Sequence, residues 1–395
     1  MRAVLEALPR PRDVSGEFGI YVHVPFCAHR CHYCDFNAYA GLDHLASGYM
    51  NALAVEAGRG LRDAPVVTSI FVGGGTPSLV EASALVGVLD AIRGAWPVAE
   101  DCEITVECNP ESTDPSKLEA YLAGGVNRLS FGVQSLDDEL LRWLGRLHDA
   151  PAAVRAVRAA RRAGFERVNG DLIFGVPGET DEAWRASVEG LLAAGVTHMS
   201  CYGLTYEEGT PLHEWRKLGR ITPVPDDDVA RRWEITDELL GGAGFARYEI
   251  SNWAPPGQAC RHNQLYWACG EYLGIGAGAH SHLAGPRGAT RSWTLRSPQR
   301  WTERVVAHEP VSAGSEEVGA AGRAAEVMFL GLRRTAGVAA ADFEALTTRT
   351  MQDAFGGELA RLANDGLLTW DGSTARLTPR GTLLANEAVC AFLDT

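Results

Sequence analysis

The sequence predicts an α/β protein, a partial (βα)6-type barrel with a small C-terminal winged-helix-like helical domain. Strand-like apolar runs alternate with helical segments through residues 18–206, and such alternation builds parallel strands joined by right-handed crossovers. Each strand-like run after the first ends in polar or glycine-rich residues, as the mouth of a barrel requires. Beyond residue 319 the order becomes helix, helix, hairpin, helix.

Residues 1–17, with Pro9 and Pro11, form a loose tail. Strands are expected at 19–24, 66–72, 102–107, 128–133, 167–174 and 197–204. Helices are expected at 45–61, 78–95, 115–123, 152–163 and 181–194, several stopped by glycines (Gly124-Gly125, Gly164, Gly195) that suit left-handed C-terminal caps. A barrel extension, 207–318, brings a helix at 226–240, a seventh strand at 245–253 and a loop at 284–292. The last unit, 319–395, has helices at 320–333 and 351–364, a hairpin from 367–370 and 375–377, and a final helix at 379–392.

With 395 residues, 46% of them hydrophobic and 22% charged, the chain can bury a large core. Its formal net charge of −14 argues against nucleic acid as a partner, which favours a basic footprint. In the C-terminal unit acidic residues outnumber arginines and lysine is absent, so a lid or a protein-contact surface is expected there. Arg155, Arg158, Arg161, Arg162 and Arg167 are assigned to the solvated outer face of a barrel helix. No apolar run has the length of a membrane span, and the first residues lack a signal peptide's apolar segment. Nine cysteines, three crowded and the rest scattered, point to a reducing cytoplasm rather than a disulfide framework.

The crowded cysteines lie in Val24-Pro-Phe-Cys27-Ala-His-Arg-Cys31-His-Tyr-Cys34-Asp-Phe36. Three thiolates on one short loop can hold an iron–sulfur cluster with one iron left open. A zinc site completed by His29, His32 or Asp35 is the alternative, and a loop of coincidentally clustered thiols the third reading. Gly73-Gly-Gly-Thr-Pro77 follows a strand and precedes a helix. Its bare backbone lets a ligand approach closely. It lacks the lysine of a P-loop and the spacing of a dinucleotide fingerprint.

Cys27-x3-Cys31-x2-Cys34 with Tyr33, followed by the glycine turn, resembles the radical S-adenosylmethionine (SAM) enzymes. Within them the chain is similar to the branch of oxygen-independent coproporphyrinogen III oxidases and their HemW-type relatives. Glu107, Phe131-Gly-Val-Gln-Ser135, Leu144-Gly-Arg146, Asp171-Leu-Ile-Phe-Gly-Val-Pro177 and Gly274-x-Gly-Ala-Gly-Ala-His280 extend the likeness along the chain. The resemblance implies a [4Fe–4S] cluster on Cys27, Cys31 and Cys34, with SAM on the open iron. It implies Gly74, Gly75 and Thr76 at the methionine end, Glu107 at its ammonium, and Gln134, Arg146 and Asp171 around the ribose and carboxylate. Tyr21, Tyr33, Thr205 and His280 are implied as further wall residues.

Phe36 stands where the oxidase carries a fourth cysteine, and only a short tail precedes the cluster strand. His262-Asn263-x-x-Tyr266-Trp267 matches a motif of the HemW branch. That branch implies a heme chaperone whose partners are heme and apo-hemoproteins of the respiratory chain, with radical decarboxylation of coproporphyrinogen III as the rival function. Whether the chain is an enzyme stays open, and no side chain is assigned as catalytic. His262 is the candidate heme residue, against a packing role for Asn263, Tyr266 and Trp267. The resemblance further allows a homodimer and a peripheral place at the inner face of the membrane.

Overall fold

The computed structural model describes residues 16–60, 64–285 and 288–393; most of the N-terminal tail lies outside them. Six strands form the barrel wall: β1 (Phe18–Val24), β2 (Val67–Gly74), β3 (Val98–Cys108), β4 (Arg128–Gln134), β5 (Arg167–Phe174) and β6 (His198–Gly203). Each is parallel to the next. Alternate side chains divide them cleanly. Ile20, Val22, Ile70, Val72, Ile104, Val106, Leu129, Phe131, Val168 and Leu172 join the main apolar core, while Tyr21, His23, Ser69, Glu103, Glu107, Ser130, Asn169 and Asp171 share the other face. A period of two puts those two sets on opposite sides of the sheet.

The core-forming helices are α1 (Ala46–Ala57), α2 (Ala82–Ala95), α3 (Pro115–Ala123), α4 (Asp138–Leu144), α5 (Ala150–Ala163) and α6 (Asp181–Ala194). Asp114, Asp137, Asp149 and Thr180 accept from backbone N–H groups in the first turns of α3, α4, α5 and α6, satisfying donors that a helix start leaves open. Gly164 and Gly195 end α5 and α6 in the left-handed region, as expected. α2 starts later than expected because Pro77–Leu79 forms a separate 3-10 turn. α5 buries Ala153, Ala156, Val157 and Ala160 and exposes its arginines. Arg167 departs from that reading: it lies on β5 and pairs with buried Glu103 at 2.9 Å.

The extension differs most from expectation. Residues 245–253 are not one strand but the start of an antiparallel hairpin, β7 (Ala246–Glu249) and β8 (Asn252–Ala254), laid against β6. On the other side of β1 lies β9 (Glu271–Ile275), parallel to it. The expected loop at 284–292 belongs to two strands, β10 (His280–Gly285) and β11 (Gly288–Thr294), with β12 (Ser312–Val318) beyond them. Their alternation is polar on both faces, which hides the strand signal. The twelve-stranded sheet runs β12-β11-β10-β9-β1-β2-β3-β4-β5-β6-β8-β7.

The C-terminal unit has the winged-helix order of helices Ala320–Gly331, Ala340–Thr347 and Met351–Asn364 with a small sheet. In that sheet β13 (Val338–Ala339) and β14 (Leu368–Trp370) flank β15 (Thr374–Leu377). The expected last helix is broken at Leu384 into Pro379–Leu383 and Ala385–Cys390. Val327, Met328, Phe343, Phe355 and Phe392 form its core together with Cys269 of the extension. Arg323 fixes the junction by bonds to His282 Nε2 (2.8 Å) and the Cys269 carbonyl (2.9 Å).

The turn between β9 and β10 is anchored to α1. The Tyr49 hydroxyl donates to the His23 carbonyl (2.7 Å) and accepts from Ala277 N–H (2.8 Å), and Glu56 accepts from Gly276 N–H (2.9 Å). Burial pushes the Glu56 carboxyl up to about 7. Its folded form therefore holds a proton that the unfolded chain gives up near pH 4.5. Stability should fall as pH rises from about 4.5 through 7, by about 3 kcal/mol in all. Glu56→Gln should flatten that slope and melt higher than the wild type at pH 8, as read by thermal denaturation across pH.

Candidate functional site

A cavity of about 450 Å³ opens at the carboxyl ends of β2–β6, where parallel αβ folds gather polar side chains. Cys27, Cys31, Tyr33 and Cys34 line it, with Gly74, Gly75, Thr76, Glu107, Gln134, Arg146, Asp171 and Thr205. The sequence-predicted cysteine loop and glycine turn thus share one chamber.

The glycines are there because the space is taken. A Cβ on Gly73 would lie 2.8 Å from Glu107 Oε2, one on Gly74 2.5 Å from the His23 ring, and one on Gly75 2.6 Å from the Phe26 carbonyl oxygen. Gly74 also has φ +115°, outside the range of ordinary residues. The turn closes through Gly75 N–H to the Val24 carbonyl and Thr76 N–H to that of Phe26, both 2.8 Å.

A belt of side chains joins the two loops. Arg146, which follows the left-handed cap Gly145, donates to Asn109 Oδ1 (2.7 Å), the Gly132 carbonyl (2.8 Å) and Cys31 Sγ (3.3 Å). Asn109 donates to Thr76 Oγ1 (3.2 Å), and Thr76 donates to Cys27 Sγ (3.6 Å). Burial raises the Cys27 thiol to about 11, so its thiolate needs a positive partner such as iron. Gln134 sits at φ +69°, at a register irregularity of β4. A non-glycine residue held there is strained, as functional positions often are.

Glu107 takes one hydrogen bond among the described residues, from Gly74 N–H at 3.1 Å. Burial, and then the nearby Asp171, push its carboxyl up to about 7. Asp171 is raised by burial while accepting from Ser130 (3.1 Å) and Asn169 (2.8 Å). Two acids held above their ordinary range, with Arg128 only a minor opposing influence on each, make the chamber receptive to a positively charged ligand.

Three expected site residues lie outside the chamber. Tyr21 is on the inner face of β1, bonded to His23 Nδ1 at 3.0 Å. His280 opens β10 and stacks on Trp293. His262 is 1% exposed on the helix Arg261–Trp267, with Nδ1 on Ser69 Oγ and Nε2 on the Tyr266 hydroxyl, both 2.8 Å. Glu103 accepts the Arg261 and His262 N–H groups at 3.1 Å each, satisfying the start of that helix. Asn263 donates to Tyr248, and Trp267 lies under Arg333. This motif closes the floor of the barrel, with both His262 ring nitrogens on hydroxyl partners. Sequence reasoning missed Asn109, Ser130, Ile173 and Tyr202 in the chamber wall. Only Asn109 had a signal, as a polar residue at the end of β3.

The family model described as the Radical SAM superfamily matches residues 21–191, and that of the HemN C-terminal domain matches 321–384. The chain is similar to a solved structure, coproporphyrinogen III oxidase (HemN) from Escherichia coli, with a TM-score of 0.82 at 22% identity over 99% of this chain and 93% of the other. That likeness concerns the fold. "Heme chaperone HemW" of Mycobacterium tuberculosis is 40% identical over 98% of this chain and 97% of its own length. The chain belongs to the HemW family. The HemW of Bacillus subtilis is 36% identical over 94% and 98% of the two chains.

Membership of the radical SAM superfamily implies a [4Fe–4S] cluster and SAM, and this chamber fits both. Three thiols ring one mouth, a buried acid awaits a cation, and a glycine turn leaves backbone exposed. Among the described residues no three His, Cys, Asp or Glu side chains converge on a single metal ion; the sulfurs are instead distributed around a chamber wall. Removing Asn109 should separate the belt's two halves and leave Arg146 and Thr76 short of a partner. Asn109→Ala should lower SAM affinity roughly tenfold in equilibrium dialysis of reconstituted protein, with iron and sulfide content unchanged.

Proposed function

We propose that this protein is a heme chaperone that carries a [4Fe–4S] cluster on Cys27, Cys31 and Cys34, binds SAM and heme, and passes heme to apo-hemoproteins such as those of the respiratory chain. The observation that carries the reading is the end-to-end match to proteins named heme chaperone HemW, at 40% identity over 98% of the chain. Phe36, 63% exposed at the chamber mouth, supports it over the oxidase reading, because the oxidase branch has cysteine there. No described helix is long and apolar enough to cross a membrane, which suits work in the cytoplasm with acceptors met at the inner face of the membrane.

When bound, the cluster supplies an electron to a sulfonium on its open iron. The chain's part is to hold and shield that pair. Cys27, Cys31 and Cys34 would hold three irons, and Arg146 places a half-buried positive charge against Cys31. Gly74, Gly75 and Thr76 would present backbone to the methionine end. Glu107 would meet the ammonium and lose its proton as that cation arrives, since an opposite charge favours the carboxylate. Asp171, held by Ser130 and Asn169, and Gln134 would fix the ribose. Tyr33 and Thr205 would close the wall against water.

Hemin titration of the reconstituted protein should give a saturable Soret band, and mixing with an apo-hemoprotein should move that band to the acceptor. Coproporphyrinogen III incubated with the reduced protein and SAM should yield no protoporphyrinogen IX. Turnover to that product without hemin binding would establish the oxidase instead.

A further inference from the structure

One buried histidine lies between the barrel floor and the cofactor chamber. His198 opens β6, is 2% exposed, and pairs in register with Asn169 of β5. Its Nδ1 lies 2.7 Å from Asn169 Oδ1, and its Nε2 lies 2.8 Å from the hydroxyl of Tyr248 on β7. Asn169 in turn donates to Asp171 Oδ1 (2.8 Å) and Ser130 Oγ (2.7 Å), and Ser130 donates to Asp171 Oδ2 (3.1 Å). At the other end Asn263, on the helix Arg261–Trp267, donates to the Tyr248 hydroxyl at 3.3 Å. An unbroken line of hydrogen bonds therefore runs from the floor helix to an acid of the chamber wall.

The direction of every bond in that line follows from its last member. A carboxylate only accepts, so Asn169 must turn its NH2 to Asp171 and its Oδ1 to His198. An amide oxygen also only accepts, so His198 carries its proton on Nδ1 and keeps a lone pair on Nε2. The Tyr248 hydroxyl must then donate to that lone pair, and its oxygen is left to accept from Asn263. Each donor points towards Asp171, an arrangement in which successive bonds polarise and strengthen one another.

The surroundings keep each member in the form this direction needs. Burial, and then Arg128 and Arg167, hold the His198 imidazole well below its ordinary range, so it stays neutral with one nitrogen free to accept. Burial holds the Tyr248 hydroxyl well above its own range, so it remains a donor. Burial pushes the Asp171 carboxyl up, and the bonds from Ser200, Asn169 and Ser130 oppose that rise. Ser200 Oγ also lies 3.0 Å from Asn169 Nδ2 and 3.2 Å from its Oδ1. Without His198 the amide oxygen of Asn169 would be held by Ser200 alone. A turned amide would set that oxygen against the carboxylate.

We propose that His198 is a positioning residue for SAM: through Asn169 it fixes Asp171 as an ionised acceptor in the chamber, and through Tyr248 and Asn263 it ties that acceptor to the floor helix. The proposal deepens the reading of Asp171 as the acid that meets the ribose, and it rests on that reading. It gives Asn263 a task beyond packing. The floor helix and the cofactor wall become one hydrogen-bonded unit, with His198 at its centre.

The test is equilibrium dialysis of SAM against the full-length reconstituted protein and its variants, each checked for native circular dichroism and iron content. Asp171→Ala should weaken SAM binding about tenfold, and His198→Leu should weaken it to a similar extent. His198→Asn, whose amide N–H stands where Nδ1–H donated, should bring affinity back to within about threefold of the wild type. In the Asp171→Ala background His198→Leu should cost less than about a further twofold, because residues that act through one another are not additive. Tyr248→Phe keeps the ring and removes only the hydroxyl. It should weaken binding about twofold to threefold and lose that effect in the Asp171→Ala background, which tests the line where His198→Leu fails to fold. Full additivity of His198→Leu with Asp171→Ala, or an equal loss in His198→Asn and His198→Leu, marks a merely structural residue and overturns the proposal. Tyr248→Phe binding SAM like the wild type overturns it too. Asp171→Ala binding SAM like the wild type overturns the ribose reading as well.

Discussion

Arg146 is the tie on which the chamber depends. Its guanidinium reaches Asn109, the β4 backbone and the sulfur of Cys31, so one half-buried cation spans the distance between barrel wall and cysteine loop. A guanidinium taken out of water is stabilised by the acceptors its donors find; here the two terminal nitrogens find them and so fix the loop's position, while the buried Nε has no partner among the described residues. Through Asn109 and Thr76 the same tie continues to Cys27. Two of the three cysteines are thereby held by the barrel before any iron arrives.

The barrel's inner face carries the complementary constraint. Glu103 at the floor is compensated by Arg167 and two helix N–H groups, whereas Glu107 nearer the mouth has one backbone donor and an acidic neighbour. The difference separates structure from function along a single strand. The floor acid stabilises the plug formed by Arg261–Trp267, and the mouth acid is left wanting a cation. The chamber is thus electrostatically incomplete in a way that an ammonium and a sulfonium would complete.

Much of this was legible in the sequence. The six parallel strands, the cysteine trio and the glycine turn each have a local signature, because thiol spacing and backbone crowding are properties of a few adjacent residues. Asn109 showed only as a polar residue at the end of β3; its role as a link was not legible, since that comes from residues 33 and 37 positions away that only folding brings near. β10 and β11 were hidden because His280, His282, Arg291 and Trp293 give neither face the apolar stripe that marks a strand. The surroundings of His262 were hidden for a related reason. A motif's histidine shows its chemistry in sequence, but its hydrogen-bond partners, Ser69 and Tyr266, show only in three dimensions.

On this reading three sulfurs leave one iron open for SAM inside the chamber. Electron–nuclear double resonance of the reduced, reconstituted protein with SAM labelled by nitrogen-15 at its amino group tests this most directly. A nitrogen hyperfine coupling to the cluster should appear on adding SAM and be lost when any one of Cys27, Cys31 or Cys34 is replaced by serine. A cluster signal without that coupling, or bound zinc with no acid-labile sulfide, would contradict it.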